Sequence, residues 1–290
     1  MNKVGIIGAG KVGSVLALAL QRQGVMICAV SGGSSNSAKI LADRIGVMFC
    51  QETALVARAA DIILIATPDR EIENVVDILI TSGEMRVGQV VFHVCGSQSA
   101  EILAGLRSFG VAVGSMHPLQ SFSNIEAGLK NIGGSYFAID GDEQAIVKAK
   151  DLVKKLSGTC MYVPPESRAV YHAAACLASN YLTALLHSAA MLMKTFGVDE
   201  NQAIKALHPI LQGTLANIET YGTLQALTGP ILRGDVITIN QQLQRIDARI
   251  PSQAQLYREL GKYTLSMVKQ RQTLSSEQIA ELDQCFRHLP

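Results

Sequence analysis

The sequence lacks an excess of charge of either sign. It carries 25 Lys and Arg against 24 Asp and Glu over 290 residues, a formal net charge of +1. Proteins that bind nucleic acids or anionic membrane surfaces commonly carry an excess of positive charge, and this sequence has no such excess. We therefore expect neither nucleic acid nor membrane as a partner and predict a small-molecule ligand.

The sequence also lacks the cysteine spacing of a disulfide framework or a metal site. Several of its six cysteines lie in apolar runs, where a thiol behaves as a small hydrophobic group. Met1-Asn2-Lys3 leads directly into a strand of only about four apolar residues, far short of a secretory core. We expect no metal, no signal peptide and a cytoplasmic location.

No internal repeat or low-complexity segment is present, and 48% of the side chains are hydrophobic. That length and composition suffice for two cores. Strand-like and helix-like segments alternate up to Pro164-Pro165, whereas only helical periodicity follows. The fold class predicted is α/β: an N-terminal Rossmann-type, doubly wound parallel sheet over residues 1–164, followed by an all-α domain over residues 165–290.

Within the helical region, the pattern predicts one long helix from about Ser167 to Phe196 and a second, capped by Asp199, to about Leu211. A glycine-containing interruption over residues 213–235 and helices at about 252–271 and 276–286 follow. The apolar stretch Ala173–Met193 resembles a membrane span, but Asn180 and His187 interrupt it. It predicts a buried core or subunit-interface helix, and hence a homodimer formed through the helical domain.

A glycine triad near the start of the chain stands between a short apolar strand and a helix. Val4–Ile7 predicts the strand, and Val12–Gln21 the helix that follows. In a dinucleotide site the first glycine permits the tight turn, the second admits the pyrophosphate, and the third packs helix against strand. The predicted cofactor-binding residues here are Gly8, Ala9, Gly10, Lys11, Val12 and Gly13. The alternative is a glycine-rich turn without a ligand.

The loop after the second predicted strand carries no carboxylate. An NAD-specific fold places Asp or Glu there to accept the ribose hydroxyls, and this carboxylate would repel the 2′-phosphate of NADP. The sequence instead has Ser31, Ser34 and Ser35, whose hydroxyls can donate to a phosphate. We therefore predict NADP(H), with NAD less favoured; Lys39 and Arg44 are the nearest cations. The alternative is a flexible loop without a phosphate contact.

Three further strands are predicted to end in polar or proline-containing segments at one rim of the sheet. The apolar run over residues 61–66 ends in Thr67-Pro68, and Ala66, Thr67 and Pro68 are predicted to border the nicotinamide ribose. The next strand ends in Cys95-Gly96-Ser97. The strand after it ends in Met116-His117-Pro118.

The chain resembles the Rossmann-like oxidoreductases with a helical C-terminal domain, which include ketopantoate reductase, pyrroline-carboxylate reductase and prephenate dehydrogenase. The segments over residues 115–122, 171–181 and 227–235 are similar to one subgroup, whose helical domain is of unknown function. The resemblance covers nearly the whole chain. It implies an NAD(P)-dependent oxidoreductase, although its motifs do not specify a substrate.

The resemblance suggests proton-transfer residues at the sheet edge. In prephenate dehydrogenases a similar His-Pro motif carries the histidine that handles the substrate proton, and a serine one strand earlier supports it. His117 and Ser97 match these positions. An imidazole, with an ordinary pKa of about 6.5, can act as acid or base near neutrality. The alternative is that His117 caps strand-end backbone groups.

His172 and Asn180 form a second candidate pair, eight residues apart on one predicted helix and therefore near one face. If Asn180 matches the helix asparagine of ketopantoate reductases, His172 stands where those enzymes have a catalytic lysine. Both could instead be buried, hydrogen-bonded polar groups. Arg233 could bind a substrate carboxylate through its planar fork, or pair with Asp235 at a helix start.

Together these features predict an NADPH-dependent reductase acting on the carbonyl of a small carboxylate-bearing metabolite, with ketopantoate as the leading substrate. An imine reductase and a prephenate-dehydrogenase-like enzyme are the alternatives. A non-catalytic NADP-binding sensor or scaffold is the alternative of another class, because a fold alone does not imply catalysis.

Overall fold

The computed structural model describes residues 2–33 and 36–287. Ser34 and Ser35, predicted to bind a phosphate, lie outside the described residues. One sheet of eight strands dominates the first part of the chain, with the order β3-β2-β1-β4-β5-β6-β7-β8. The strands are β1 Lys3–Ile7, β2 Met26–Ser31, β3 Met48–Cys50, β4 Ile62–Ile65, β5 Val90–His93, β6 Ala112–Pro118, β7 Tyr136–Gly141 and β8 Thr159–Tyr162.

Six α-helices accompany this sheet. They are α1 Lys11–Arg22, α2 Ser37–Ile45, α3 Thr53–Ala59, α4 Ile72–Ser82, α5 Ile125–Asn131 and α6 Glu143–Lys155. Alternate residues of the central strands point into two separate cores, because successive strand side chains face opposite sides. Ile6 and Leu64 lie in one core, Ile7 and Ile63 in the other. The predicted doubly wound α/β fold is thus confirmed.

The sheet contains one antiparallel junction, between β6 and β7, where His117 pairs with Ala138; all its other pairs are parallel. β6 is also longer than predicted. The sequence pattern places the strand end before Met116, whereas the strand continues through Pro118. The antiparallel partner β7 supplies ladder hydrogen bonds to this extension. His117 therefore lies on a strand and not in a loop.

The long helix predicted from Ser167 to Phe196 is a composite. A short 3-10 turn at Pro165–Ser167 leads into α7 (Arg168–Cys176), a π-helical turn at Leu177–Tyr181 and α8 (Leu182–Lys194). π-Helical turns inside helices are uncommon and frequently occur at functional sites. Asn180, one of the predicted catalytic residues, lies within this turn.

The prediction that the second helix ends near Leu211 is wrong. After its Asp199 N-cap, α9 runs from Glu200 to Ala226, with a non-helical residue only at Gly222. Gly213 and Pro209 lie inside it, and neighbouring Leu, Ala and Ile residues favour the helix enough to outweigh them. A helix absent from the prediction, α10 (Val236–Arg249), follows. The predicted final helices are present as α11 (Pro251–Arg271) and α12 (Ser276–Phe286).

The chain divides into two compact units after Ser179. The first unit contains the sheet, α1–α6 and α7; the second contains α8–α12. A separate apolar cluster, made by Ile239, Leu243, Leu265, Leu282 and Phe286, forms the core of the second unit. The unit division follows α7, whereas the sequence prediction places the domain boundary before it, at Pro164-Pro165.

The helical run Pro165–Lys194 is, among the residues described, the one segment long and apolar enough to cross a membrane by length and composition alone. Only 6% of its most apolar window is buried. A buried core helix, one of the two predicted alternatives, does not have such low burial. The low burial is compatible with the other alternative, a helix at a subunit interface.

Candidate functional site

The turn after β1 is built around the three glycines of the sequence motif. Gly8 has φ of +100°, a left-handed value that favours glycine, and a Cβ on it would lie 2.6 Å from backbone atoms of Ala66 and Thr67. A Cβ on Gly13 would lie 2.0 Å from the Gly8 carbonyl oxygen. These two glycines are therefore required for the turn itself, and they bring α1 against β1 and the end of β4.

Gly10 differs from the other two glycines. A Cβ on Gly10 would meet nothing within 4 Å, and its φ of −70° suits any residue. Gly10 is the N-cap of α1, where no side chain caps the helix and the first turn holds no acidic residue. The first N–H groups of α1 therefore have no capping side chain, and uncapped N–H groups at a helix start can bind phosphate groups.

A cavity of about 960 Å³ opens at this turn. It lies where the strand order reverses between β1 and β4, the usual ligand position in open α/β sheets. Among the predicted cofactor residues, Gly8, Ala9, Gly10, Ala66, Thr67 and Pro68 line it. Lys11, Val12 and Gly13 follow directly on α1. The volume suits a ligand of dinucleotide size.

The cavity extends further than predicted, along α4 and the start of α3. Asn74, Val75 and Ile78 line it from α4, and Thr53 of α3 and its N-cap Glu52 line it at the start of that helix. Ile78 is four positions from Asn74 and three from Val75, so the three α4 residues share one helix face. That spacing was the sequence signal for this side of the cavity. Its apolar members form a surface on which an aromatic ring could pack.

Two buried hydroxyl oxygens near the cavity, Thr67 Oγ1 and Ser31 Oγ, have no hydrogen-bond partner among the described residues. Unpaired buried polar groups are rare in folded proteins and are commonly satisfied by a ligand or water. Open space at Gly10 and these two hydroxyls together fit a dinucleotide. The described residues that line the cavity include no Lys or Arg but two carboxylates, Glu52 and Glu71.

A second group of polar side chains lies at the carboxyl ends of β5 and β6. The parallel register pairs His93, the last residue of β5, with Ser115 of β6. His117 therefore extends beyond the end of β5 and lies beside Gly96. A Cβ on Gly96 would be 2.9 Å from Nε2 of His117 and 2.6 Å from Cδ2 of His172. Only a glycine leaves room for both rings at this position.

α7 brings two further rings to His117. The Tyr171 hydroxyl lies 2.8 Å from Nδ1 of His117, at hydrogen-bonding distance. The imidazole of His172 is edge-on to that of His117, with ring centroids 6.1 Å apart. Cys176, one turn further along the helix, places Sγ 4.0 Å from Nδ1 of His172. Two of the predicted catalytic residues, His117 and His172, are thus neighbours.

An ion pair beneath these rings holds α7 on the sheet. Arg168 Nε donates to Asp140 Oδ2 at 2.5 Å, and Asp140 Oδ1 accepts from the Ala100 backbone N–H at 2.7 Å. Arg168 and Tyr171 are three residues apart on α7 and lie on one face, with the guanidinium carbon 5.9 Å from the Tyr171 ring centroid. Asp140 thereby fixes the helix that carries Tyr171 and His172.

Burial, followed by the electrostatic effects of His172 and Arg168, lowers the pKa of His117 from 6.5 to about 4, against an opposing effect of Asp69. The imidazole is therefore neutral at neutral pH. Burial also raises the pKa of the Tyr171 phenol to about 12, against an opposing effect of Arg168. The His117–Tyr171 pair thus consists of two neutral groups that share one hydrogen bond.

His93, at the end of β5, has a different environment. Its Nε2 lies 3.0 Å from the Ser99 carbonyl oxygen, and its Nδ1 accepts from the Cys95 backbone N–H at 3.2 Å. Burial lowers its pKa to about 4. With both ring nitrogens engaged by backbone groups, His93 packs within the sheet edge and is not placed to contact a substrate.

The other predicted catalytic residues lie elsewhere. The Ser97 hydroxyl is 3.3 Å from the Cys95 thiol. The residue that is hydrogen-bonded to His117 is Tyr171 and not the predicted Ser97. Asn180 and Arg233 belong to the second unit, where both are exposed. Asp235 is the N-cap of α10 and accepts from the Thr238 backbone N–H at 3.0 Å, so it lies at a helix start as the structural alternative predicted. The predicted ion pair of Asp235 with Arg233 is not among the ion pairs of the described residues.

Tyr171, Arg168 and Asp140 were missed by the sequence reasoning. Tyr171 directly precedes His172 in a segment singled out for its resemblance, so the signal was present. Arg168 precedes Tyr171 by three residues, a spacing that places the two on one helix face. Asp140 is some 30 residues distant from them in sequence, and its pairing with Arg168 depends on the β6–β7–β8 arrangement.

Comparison with protein families gives two matches. Residues 1–118 match the Rossmann-like domain, and residues 135–264 match a domain of unknown function, DUF2520. The chain is a Rossmann-like domain joined to a DUF2520 domain. The DUF2520 match begins at Ser135 and so includes β7, α6 and β8 of the sheet. No curated protein sequence matches the chain significantly.

Solved structures show the same fold along almost the whole chain. A candidate NADP oxidoreductase from Bacteroides fragilis is 23% identical, with a TM-score of 0.75 over 89% of this chain and 96% of that one. Protein TM1727 from Thermotoga maritima is 25% identical, with a TM-score of 0.69 over 92% and 99%. An imine reductase from a Pseudomonas species is 20% identical, with a TM-score of 0.66 over 99% of both chains.

Proposed function

We propose that this protein is an NADPH-dependent oxidoreductase that reduces the C=O or C=N bond of a small substrate. One observation carries the proposal: the cavity at the β1–β4 switch point and the His117–Tyr171–His172 group lie at the same, carboxyl edge of one sheet. The cavity fits a dinucleotide, and the group supplies proton donors next to it. Asp69, which follows Pro68 of the cavity, acts on both regions: it raises the pKa of the Cys95 thiol and opposes the lowering of the pKa of His117.

The roles of the residues follow from their places at that edge. The N–H groups at the start of α1 would hold the pyrophosphate, with Gly10 leaving room for it. Val75 and Ile78 of α4 would pack against the adenine, and Thr67 Oγ1 would bond to a polar group of the cofactor. When bound, NADPH supplies a hydride to the substrate carbon, and His117 supplies the proton to the heteroatom.

The cofactor preference follows from the loop after β2. No carboxylate follows Ser31, so nothing at this position repels a 2′-phosphate. Glu52 lines the same cavity and would weaken the preference through like-charge repulsion. We expect NADPH to bind more tightly than NADH, and Glu52→Gln to favour NADPH by a further two- to threefold, about the effect of one screened charge. Dissociation constants of both cofactors at one ionic strength test this.

For the substrate we propose a carbonyl compound with a carboxylate, with ketopantoate first. The similarity of its motifs to ketopantoate reductases supports this choice. An imine is the alternative, supported by the shared fold with the Pseudomonas imine reductase. The test is NADPH consumption with a panel of keto acids, including ketopantoate, and cyclic imines such as pyrroline carboxylate. Oxidation of prephenate with NADP belongs in the panel for the prephenate-dehydrogenase-like alternative.

A non-catalytic sensor of NADPH is the candidate of another class, and the same experiment separates the two. The enzyme proposal requires turnover that depends on one of the panel compounds. Tight NADPH binding without turnover of any compound would favour the sensor. His117→Gln is the control, because it should remove turnover while NADPH still binds.

We further propose that the protein is a homodimer formed through the helical domain. The 27 residues of α9 include only one buried side chain, Ala203, although exposed positions hold Ile210, Leu215 and Tyr221. A row of exposed apolar residues on one helix favours association with another apolar surface. A second copy of the chain brings an identical apolar helix, and a twofold axis would bury both.

A further inference from the structure

The hydroxyl of Tyr171 has His117 as its hydrogen-bond partner, and no other hydrogen bond of this hydroxyl is present among the described residues. The oxygen lies 2.8 Å from Nδ1. A neutral imidazole carries hydrogen on one nitrogen only, and its partners decide which one. The phenol has one hydrogen to donate, and Nδ1 is the acceptor within its reach.

The other nitrogen of His117 lies against Gly96. The position of a Cβ on Gly96 would be 2.9 Å from Nε2 and 3.0 Å from Cε1, so the glycine lets this side of the ring approach the backbone. If Tyr171 donates to Nδ1, the hydrogen of the imidazole lies on Nε2. The His117 ring then carries its N–H group on the Gly96 side, and Tyr171 occupies the Nδ1 side.

We propose that Tyr171 is a positioning residue of the reduction: its hydroxyl holds the hydrogen of His117 on Nε2 and returns a proton to Nδ1 when Nε2 gives up its own. This inference rests on the proposed function, since it concerns how the substrate heteroatom receives its proton. It makes the phenol the source of the proton and His117 the group through which the proton passes.

The proton balance is as follows. The Nε2–H bond of His117 breaks and an O–H or N–H bond forms on the substrate heteroatom, whose electron pair comes from the reduction itself. The O–H bond of Tyr171 breaks and an Nδ1–H bond forms on His117. After the product leaves, the Nδ1 proton returns to the phenolate oxygen and Nε2 takes a proton from water, which restores the phenol and the starting tautomer.

The charges around His117 favour this neutral route over a donor imidazolium. Besides Tyr171, the charged or titratable groups that act on the pKa of His117 are His172, Arg168, Asp69 and His93. Burial shifts this pKa more than any of them. With its pKa at about 4, roughly one His117 in a thousand is protonated at neutral pH. A preformed imidazolium would therefore be scarce.

The Tyr171 phenol, in contrast, is fully protonated at neutral pH and still acidic enough for the task. Its pKa of about 12 lies well below that of an alcohol, which is close to that of water. Proton transfer from the phenol to a newly formed alkoxide is thus downhill. The Arg168 guanidinium, 5.9 Å from the ring centroid, stabilises the transient phenolate.

The first test reads the tautomer directly and needs no substrate. Nitrogen NMR of the protein labelled at histidine distinguishes a protonated from an unprotonated ring nitrogen, and His117→Gln assigns the signal. In the wild type we expect hydrogen on Nε2 and a bare Nδ1. In Tyr171→Phe we expect a mixture of tautomers. Tyr136→Phe, which alters an exposed tyrosine on β7, is the matched control. Hydrogen on Nδ1 in the wild type, or an unchanged tautomer in Tyr171→Phe, would overturn the inference.

The second test is a single-turnover measurement of NADPH oxidation with ketopantoate, pyrroline carboxylate and the other panel compounds as probes. Tyr171→Phe should lower the rate at least tenfold, with the NADPH dissociation constant within twofold of the wild type. The variant must use a preformed imidazolium, so its rate should rise as the pH falls towards 4, whereas the wild-type rate should not.

The outcomes are separable. A loss of less than twofold with a wild-type pH profile would refute the relay while the proposed reduction stands. If the wild type reduces none of the probes, the proposed reduction fails and the relay with it, and the NMR result still decides whether Tyr171 orients His117. A denaturation midpoint for Tyr171→Phe close to that of Tyr136→Phe shows that any loss is not unfolding.

Discussion

Arg168 and Asp140 form an ion pair that is enclosed on all sides: Nε lies 2.5 Å from Oδ2, and each side chain is 1% exposed. The pair joins α7 to β7, and α7 carries Tyr171 and His172. A buried ion pair of this kind is costly to break, because the remaining charge is then left without compensation. The position of the His117–Tyr171–His172 group therefore depends on an ion pair that lies outside the group.

Arg168→Met should lower the free energy of unfolding by about 3–5 kcal/mol, the usual cost of leaving one charge of a buried pair alone. Urea denaturation measures it. Glu126→Gln is the control, since its pair with Arg44 spans 3.6 Å between exposed side chains and should change stability by less than about 1 kcal/mol. If both substitutions lowered the free energy of unfolding equally, the buried ion pair would contribute no more to stability than the exposed one.

Gly10→Ala and Gly13→Ala should separate cofactor binding from folding. A methyl group on Gly10 points into open space, so we expect a loss of stability below about 1 kcal/mol and a loss of NADPH affinity of at least tenfold. A methyl group on Gly13 would collide with the Gly8 carbonyl and should destabilise the protein severely. Calorimetric titration and thermal denaturation read the two effects. Unchanged NADPH affinity in Gly10→Ala would contradict the assignment of the phosphate site.

Stability should fall as the pH drops from about 6.5 to about 4. The pKa of His117 is about 4 in the folded protein against 6.5 ordinarily, so in this window the unfolded chain binds more protons than the folded one. His117→Gln should reduce the pH-dependent loss by roughly 2 kcal/mol. Denaturation series at several pH values compare the two proteins. His93, with a similar pKa, remains in both, so the variant should retain part of the slope.

Light scattering should give twice the 31.0 kDa mass of one chain. Leu215→Glu replaces an exposed apolar side chain of α9 with a charge and should shift the protein towards the monomer. Val87→Glu alters an even more exposed residue in the first unit and should leave the mass unchanged. A monomeric wild type at micromolar concentration would count against the dimer, and recovery of the protein in the membrane fraction would point to a lipid role for the apolar helix.

The sequence by itself determined the first unit up to the sheet edge. The strand, glycine turn and helix at the start of the chain are specified locally, because Gly8 and Gly13 are dictated by backbone geometry within a few residues. The alternation of apolar strands and helices then implied a parallel sheet with the polar strand ends at one rim. These signals placed His117 at that rim, whereas His172 was singled out by its helix spacing and by family resemblance. The structure brings the two rings together.

Predictions from local sequence patterns were wrong where tertiary packing opposed the local helix or strand propensity. Gly213 and Pro209 predicted the end of a helix, yet α9 continues through both, since each costs only a few kcal/mol and its neighbours favour the helix. β6 continues past Ser115 because an antiparallel partner from later in the chain pairs with it. No periodicity within β6 itself could indicate that partner.

Long-range packing selects the hydrogen-bond partner of His117. A resemblance suggested Ser97, but the partner is Tyr171, 54 residues away, on a helix fixed by the Arg168–Asp140 pair. Such a pairing depends on how far β6 extends and where α7 starts, both set by long-range contacts. The pKa of His117 likewise depends on burial, which no sequence pattern specifies. The sequence thus determined which residue types reach the sheet edge, and the packing of α7 determined their charge states and partners.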